Sequence, residues 1–122
     1  MREKMAGLHL ILDARASIGL ANRKAVEDWI RWAAEVSGMT ILGTQSHLLP
    51  TPLDSGPGVT ALAVIAESHI AVHTWPESGI ITMDMFSCRH FKALPIVDSF
   101  TRTFGITEVL LYNEIPRWGP KP

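Results

Sequence analysis

Residues 67–86 read ESHIAVHTWPESGIITMDMF, and this stretch contains the pattern that decides the fold. Ile70 to His73 and Ile80 to Phe86 are rich in residues that favour β-strands, and the segment Pro76 to Gly79 between them is typical of a hairpin turn. We therefore predict two antiparallel strands. The first eleven residues also hold two carboxylates, two hydroxyls and two imidazoles. Polar groups beside an apolar run must find partners, so this density predicts a functional site.

The rest of the chain adds strands and helices around this hairpin. Apolar runs and turn signals predict further strands at Leu8–Leu12, Met39–Leu42, Val59–Ala66 and Ile106–Tyr112. Helical spacing predicts one helix from an Asn22 cap to a Gly38 stop and another from Pro95 to Gly105. The segments predicted to lack regular structure are Asp13–Ala21, Pro50–Gly58 and Pro116–Pro122. This order predicts an α+β two-layer sandwich, an antiparallel sheet with both helices on one face.

The apolar positions of both helices are spaced so that each helix has one buried face. In the first helix these positions are Val26, Trp29, Ile30, Ala33 and Val36, and in the second they are Ile96, Val97, Phe100 and Phe104.

Composition narrows the class of protein. The chain has 122 residues, of which 47% are hydrophobic and 19% charged, and this predicts a single domain over residues 1–122. A net charge of −1 without a basic block argues against nucleic-acid binding. The apolar runs are too short to span a membrane and no signal-peptide pattern is seen, so we expect a cytoplasmic protein. A single cysteine, Cys88, forms no internal disulfide and is either a buried small side chain or a functional thiol.

The sheet face opposite the helices is expected to be apolar. Trp75, Met83, Met85 and Phe86 are predicted to contribute to it, and such a surface favours coverage by a partner subunit. We therefore expect a homodimer. The alternative is that some of these residues lie under the long loop.

Three motifs, Glu67-Ser68-His69, His73-Thr74-Trp75-Pro76-Glu77 and Phe86-Ser87-Cys88, resemble those of the self-processing S-adenosylmethionine decarboxylases of the short prokaryotic type. The resemblance covers nearly the whole chain in element order and is most specific between Val64 and Cys88. It implies cleavage before Ser68, giving a β chain of residues 1–67 and an α chain of residues 68–122. Ser68 would then become an amino-terminal pyruvoyl group, a cofactor made from the chain that forms a Schiff base with the substrate.

Self-cleavage has a chemical logic that assigns further roles. The Ser68 hydroxyl attacks the preceding carbonyl to form an ester, and elimination then needs a base, for which His73 is the candidate. The resemblance implies that Thr60 supplies the hydroxyl that assists processing and that Cys88 donates a proton after decarboxylation. In a straight strand Ser68 and His73 would lie on opposite faces about 16 Å apart. Either the chain bends between them or the histidine approaches from another direction.

The resemblance also implies a substrate site. Glu77 matches a carboxylate that binds ribose hydroxyls, and Trp75 is placed to line the pocket. Leu49 lies in the segment where the family usually has an aromatic residue that stacks on adenine, and Arg89 replaces the usual glycine after the cysteine. S-adenosylmethionine, decarboxylated for spermidine synthesis, is the expected substrate. The alternative is ornithine or arginine, whose distal cation would pair with Asp54 in the loop.

Two other classes of function fit parts of the pattern. His69, His73, Cys88 and His90 have side chains that bind zinc, but the spacing of the first two suits a helix whereas their surroundings predict a strand. We therefore expect no metal site. A non-catalytic dimerisation module is the other alternative, and the joint presence of Ser68, His73 and Cys88 argues against it.

Overall fold

A computed structural model describes residues 5–51 and 55–120. In chain order its elements are β1 (Gly7–Ala16), α1 (Arg23–Val36), β2 (Ile41–Leu49), β3 (Gly58–Ile65), β4 (Ser68–Trp75), β5 (Ile80–Ser87), α2 (Ala93–Phe104) and β6 (Ile106–Arg117). The six strands form one antiparallel sheet in the order β2-β3-β4-β5-β1-β6. The two helices contact each other and lie on the same face. The predicted two-layer α+β sandwich is confirmed.

The hydrophobic core lies between the helices and one face of the sheet. Alternate residues of the four central strands are buried there, as the two-residue period of a strand requires. The largest fully buried side chains are Phe100, Phe104, Leu10, Leu12, Ile70, Ile81, Met83, Met85, Ile96, Val26, Val59 and Val72. The Trp29 ring packs edge-on against Phe100, with ring centroids 4.9 Å apart, so the two helices share an aromatic contact.

Local signals at the helix ends were predicted correctly. The Asn22 side chain accepts a hydrogen bond from the Ala25 N–H at 3.0 Å and caps α1. Gly105 ends α2 in the left-handed conformation with φ of 59°. The prediction was wrong for Val36, which is about half exposed in the last turn of α1 instead of facing the core.

Three strands are longer than predicted. β1 continues through Asp13–Ala16, β2 extends to Leu49 and β6 extends to Arg117, whereas we predicted turns or a tail in parts of these segments. The cause is non-local: residues 13–15 of β1 pair with both β5 and β6, and Ala16 pairs with Ile106 on β6. Pro116 lies on β6, the edge strand beside β1. A proline is tolerated there because no strand pairs with the outer side of β6 in the sheet that the structure describes.

Ser46 joins α1 to the edge strand β2. It is the one buried residue of β2, and its hydroxyl donates a hydrogen bond to the Glu27 carboxylate. This bond lowers the pKa of Glu27. Arg23 donates from Nε to the Ser46 hydroxyl at 2.7 Å and from Nη2 to the Ser46 carbonyl at 2.9 Å.

The sheet face opposite the helices, here called the open face, is less apolar than predicted. Met83 and Met85 point into the core because strand alternation places them on the helix side. Trp75 and Phe86 do lie on the open face, together with the exposed Leu62 and Val64. In the described part of the chain, neither helix has the length and hydropathy needed to cross a bilayer.

We predict that Asn22→Ala lowers the free energy of unfolding by about 1 kcal/mol, because the first turn of α1 loses its side-chain acceptor. Chemical denaturation measures this. Asn113→Ala, at an exposed position of β6, is the control and should change stability by less than about 0.5 kcal/mol. Equal stabilities of the two variants would contradict the role of the cap.

Candidate active site

The peptide between Glu67 and Ser68 lies where the β3–β4 hairpin turn meets β4. The turn contains only Ala66 and Glu67, and Ser68 pairs with Ile65 on β3 and with Ser87 on β5. Ser68 has φ of 152°, and it is the one non-glycine residue with positive φ in residues 5–51 and 55–120. Such backbone geometry is unfavourable for a residue with a Cβ by on the order of 1–3 kcal/mol. The strain is therefore located at the residue that the sequence predicts to be cleaved.

Glu67 is held at both its main chain and its side chain. Its carbonyl oxygen accepts a hydrogen bond from the Cys88 N–H at 2.9 Å. Its carboxylate accepts from the Thr40 N–H at 3.1 Å and lies 3.5 Å from Nη2 of Arg89. The carbonyl that Ser68 would attack thus already faces a backbone donor, which is the arrangement that stabilises a developing oxyanion.

A second group of predicted residues lies at the other end of β4. Nδ1 of His73 is 3.3 Å from Oγ1 of Thr60, and the two residues are direct partners across β3 and β4. A cavity of about 220 Å³ opens beside them. Its lining residues are Leu49, Pro50, Thr51, Gly58, Thr60, His73, Thr74, Trp75 and Glu77. The predicted processing pair and three predicted substrate residues, Leu49, Trp75 and Glu77, therefore share one cavity.

The structure does not bring Ser68 and His73 together within one chain. β4 is continuous from Ser68 to Trp75 and is paired on both sides, so the chain turns before Ser68 and not between the two residues. Five residues of strand correspond to about 16 Å. The burial pattern of β4 also places His73 on the open face, whereas the positions in step with Ser68 face the helices. The chain does not bend between Ser68 and His73, so a histidine that acts on Ser68 must approach it from another direction.

Asp54 lies outside the described residues. The flanking residues Thr51 and Ser55 belong to different cavities, the first to that of His73 and the second to a larger open groove of about 810 Å³ at the start of α1. Among the residues that the structure describes, no predicted site residue lines this groove.

Sequence reasoning missed the residues that fix the backbone of Cys88. The buried Ser87 hydroxyl accepts from the Arg89 N–H at 3.0 Å and donates to the Arg89 carbonyl at 2.6 Å. Gly7 and Gly119 pack closely against the backbone of Ser87 and Cys88. A Cβ on Gly119 would lie 1.8 Å from the Cys88 carbonyl oxygen, and a Cβ on Gly7 would lie 2.7 Å from the Ser87 carbonyl oxygen. The motif contained Ser87 but not its bonds to Arg89, and for the close approach the sequence signal was the two glycines near the chain ends.

A separate polar cluster lies on the open face. His9 Nε2 contacts the Asp84 carboxylate, and His69 Nε2 is 3.7 Å from the same carboxylate. These three side chains offer ligand atoms within 4.8 Å of one another, which resembles a metal site. However, Nη1 of Arg117 is 3.1 Å from Nδ1 of His9, and a guanidinium can only donate. Nδ1 therefore accepts and Nε2 donates to the Asp84 carboxylate, so a hydrogen bond accounts for the contact between His9 and Asp84.

The zinc alternative from the sequence is not supported by the geometry. His69 and His73 lie four residues apart on a strand, which separates them by about 13 Å, too far to share an ion.

Comparison with known proteins gives one family. The family model described as S-adenosylmethionine decarboxylase matches residues 8–117. A relative named S-adenosylmethionine decarboxylase proenzyme from Methanococcus maripaludis is 34% identical, covering 81% of this chain and 82% of its own. One of the same name from Methanococcus aeolicus is 37% identical, with 81% and 86% covered. The crystal structure of the adenosylmethionine decarboxylase from Aquifex aeolicus superimposes with a TM-score of 0.76 at 23% identity, covering 92% of this chain and 90% of the other. The chain belongs to the S-adenosylmethionine decarboxylase family.

Proposed function

We propose that the protein is a self-processing, pyruvoyl-dependent decarboxylase that converts S-adenosylmethionine to its decarboxylated form and CO₂ for spermidine synthesis. The observation that carries this proposal is the Glu67–Ser68 peptide, in which a strained serine follows a carbonyl already bound by the Cys88 N–H. Family membership supports the reaction class, and the names of the relatives favour S-adenosylmethionine over ornithine or arginine.

Self-cleavage follows from these groups. The Ser68 hydroxyl oxygen bonds to the Glu67 carbonyl carbon, the C–N bond breaks, and the hydroxyl proton ends on the freed amine. The Cys88 N–H supports the negative charge on the carbonyl oxygen. A base then removes the Ser68 α-proton, and the Cβ–O bond breaks to release Glu67 as a carboxylate. Elimination leaves dehydroalanine, which gains a proton at Cβ and loses one from nitrogen to become an imine. Water converts this imine to a ketone and ammonia. The products are the β chain, residues 1–67, and the α chain, residues 68–122.

The pyruvoyl group at Ser68 would supply an electrophilic ketone for the substrate amine and an electron sink for decarboxylation. The chain's own residues bind and orient the substrate around it. Glu77 offers two acceptor oxygens for the ribose hydroxyls, and Trp75 and Leu49 offer apolar surface for the base. Cys88, whose main chain lies beside the cleavage point, is the proposed proton donor to the reacting carbon.

We further propose that the active unit is a homodimer in which His73 and Thr60 of one subunit serve Ser68 of the other. The distance of about 16 Å along β4 supports this, because the pair is too far from Ser68 of its own chain. The exposed Leu62, Val64 and Trp75 give the open face apolar area for such contact. The cavity of about 220 Å³ is also smaller than the roughly 300–1,000 Å³ of complete ligand sites, as expected if a second chain completes it.

The first prediction concerns cleavage. Purified protein should separate on a denaturing gel into residues 1–67 and 68–122, and Ser68→Ala should remain one chain because no hydroxyl attacks Glu67. Intact mass spectrometry identifies the blocked amino terminus of the α chain. Ser17→Ala, an exposed serine whose hydroxyl bonds to the Gly105 carbonyl, is the control and should cleave normally. Active protein that is a single uncut chain would refute the proposal.

The second prediction tests the shared site. His73→Ala alone should not cleave, but mixing it with Ser68→Ala should restore cleavage of the His73→Ala chain, since the partner supplies an intact histidine. With random pairing in equal amounts, about half of the His73→Ala chains should be cut. Tagged chains followed by gel show which one is cleaved. If His73 acts within its own chain, the mixture stays uncut.

The third prediction concerns the substrate. Processed protein should release labelled CO₂ from carboxyl-labelled S-adenosylmethionine and not from ornithine or arginine. Glu77→Gln should raise KM at least about tenfold while leaving self-cleavage intact, because hydrogen bonds to a charged acceptor are lost. Glu108→Gln, an exposed carboxylate paired with Arg15, is the matched control. Release from an amino acid alone would assign the protein to the alternative substrate class.

A further inference from the structure

We propose that Arg89 is a positioning residue for self-cleavage. Its guanidinium holds the Glu67 side chain so that the Glu67 carbonyl keeps its hydrogen bond from the Cys88 N–H. The inference rests on the proposed self-processing and adds a residue that the chemistry above does not use. Arg89 stands where the sequence departs from the family's usual glycine, so its effect would be a property of this chain.

The contacts of Arg89 bridge two segments. Nη2 donates to the Gly38 carbonyl at 2.7 Å and lies 3.6 Å from the Met39 sulfur. The same atom is 3.5 Å from Oε2 of Glu67, while Thr40 N–H binds Oε1 at 3.1 Å. Each oxygen of the carboxylate therefore has its own partner. One partner is Thr40 and the other is bound to Gly38, and both of these residues lie in the connection between α1 and β2.

One turn contacts both the carbonyl and the carboxylate of Glu67. The Ser87 hydroxyl closes the turn Ser87–Cys88–Arg89 by bonding to both backbone groups of Arg89. From this turn the Cys88 N–H reaches the Glu67 carbonyl at 2.9 Å and the Arg89 side chain reaches the Glu67 carboxylate. The main-chain contact and the side-chain contact of Glu67 are thus made by the adjacent residues Cys88 and Arg89. Loss of the contact to Arg89 would therefore let Glu67 rotate away from the Cys88 N–H.

The attack by Ser68 requires the Glu67 carbonyl to keep one orientation, because misplacement of reacting groups lowers the rate steeply. The Glu67 side chain is only 16% exposed, but that of Arg89 is 51% exposed, so solvent screens part of the ion pair. We therefore expect a moderate effect. Lysine carries a single compact charge and cannot reproduce a guanidinium that binds a carbonyl and a carboxylate together, so it should substitute only in part.

The experiment measures the rate of self-cleavage of freshly synthesised full-length chain by gel. Arg89→Ala should cleave about tenfold more slowly than wild type, with Arg89→Lys between them. Arg102→Ala is the matched control, because Arg102 is an exposed arginine paired with Asp98 on α2, away from the turn. All variants should unfold at similar temperatures. Arg89→Ala should not slow cleavage further in a Glu67→Gln background, since it acts through that carboxylate.

Cleavage of Arg89→Ala at the rate of Arg102→Ala would overturn the inference, as would independent, multiplicative effects of Arg89→Ala and Glu67→Gln. Failure of the wild-type chain to cleave would instead refute the proposed function. A second measurement is independent of cleavage: in Ser68→Ala protein, adding Arg89→Ala should accelerate hydrogen exchange of the Cys88 amide by NMR. Unchanged exchange would also overturn the inference.

Discussion

The hydrogen bond from the Cys88 N–H to the Glu67 carbonyl fixes the geometry on which the rest of the site depends. It ties the two-residue turn after β3 to the end of β5, while the Ala66 N–H ties the same turn to the Thr40 carbonyl at 2.8 Å. The turn is therefore held from both sides, and the unfavourable φ falls on the next residue, Ser68. The fold itself therefore holds this peptide in the orientation that the proposed attack requires, independently of any catalytic side chain.

Signals that act over short distances predicted most of the fold. The Pro76–Gly79 turn, the Asn22 cap and the Gly105 stop each depend on neighbours in sequence, and each lies where predicted. Strand ends were predicted less well, because they depend on pairing between distant segments. Asp13 and Arg15 look like turn residues in sequence, but in the sheet they alternate with buried alanines on β1.

The sequence predicted a set of candidate site residues but not how these residues group in space. The motifs identified Ser68, His73 and Cys88, yet residues close in sequence lie far apart here because a strand advances about 3.3 Å per residue. Conversely, Thr60 and His73, thirteen residues apart, are neighbours across two strands. Arg89 appeared only as a departure from a motif, and nothing in its local sequence indicates that it reaches Glu67 and Gly38.

The strand order would hold the two fragments of the proposed cleavage together. A break after Glu67 assigns β1, β2 and β3 to one fragment and β4, β5 and β6 to the other, and in the sheet these strands interleave. β1 lies between β5 and β6, and β3 lies beside β4, so the fragments are interlocked along three ladders and by the packing of α1 on α2. The proposed cleavage would therefore free the new chain end without separating the fragments, because separation would require these three ladders and the helix contact to break.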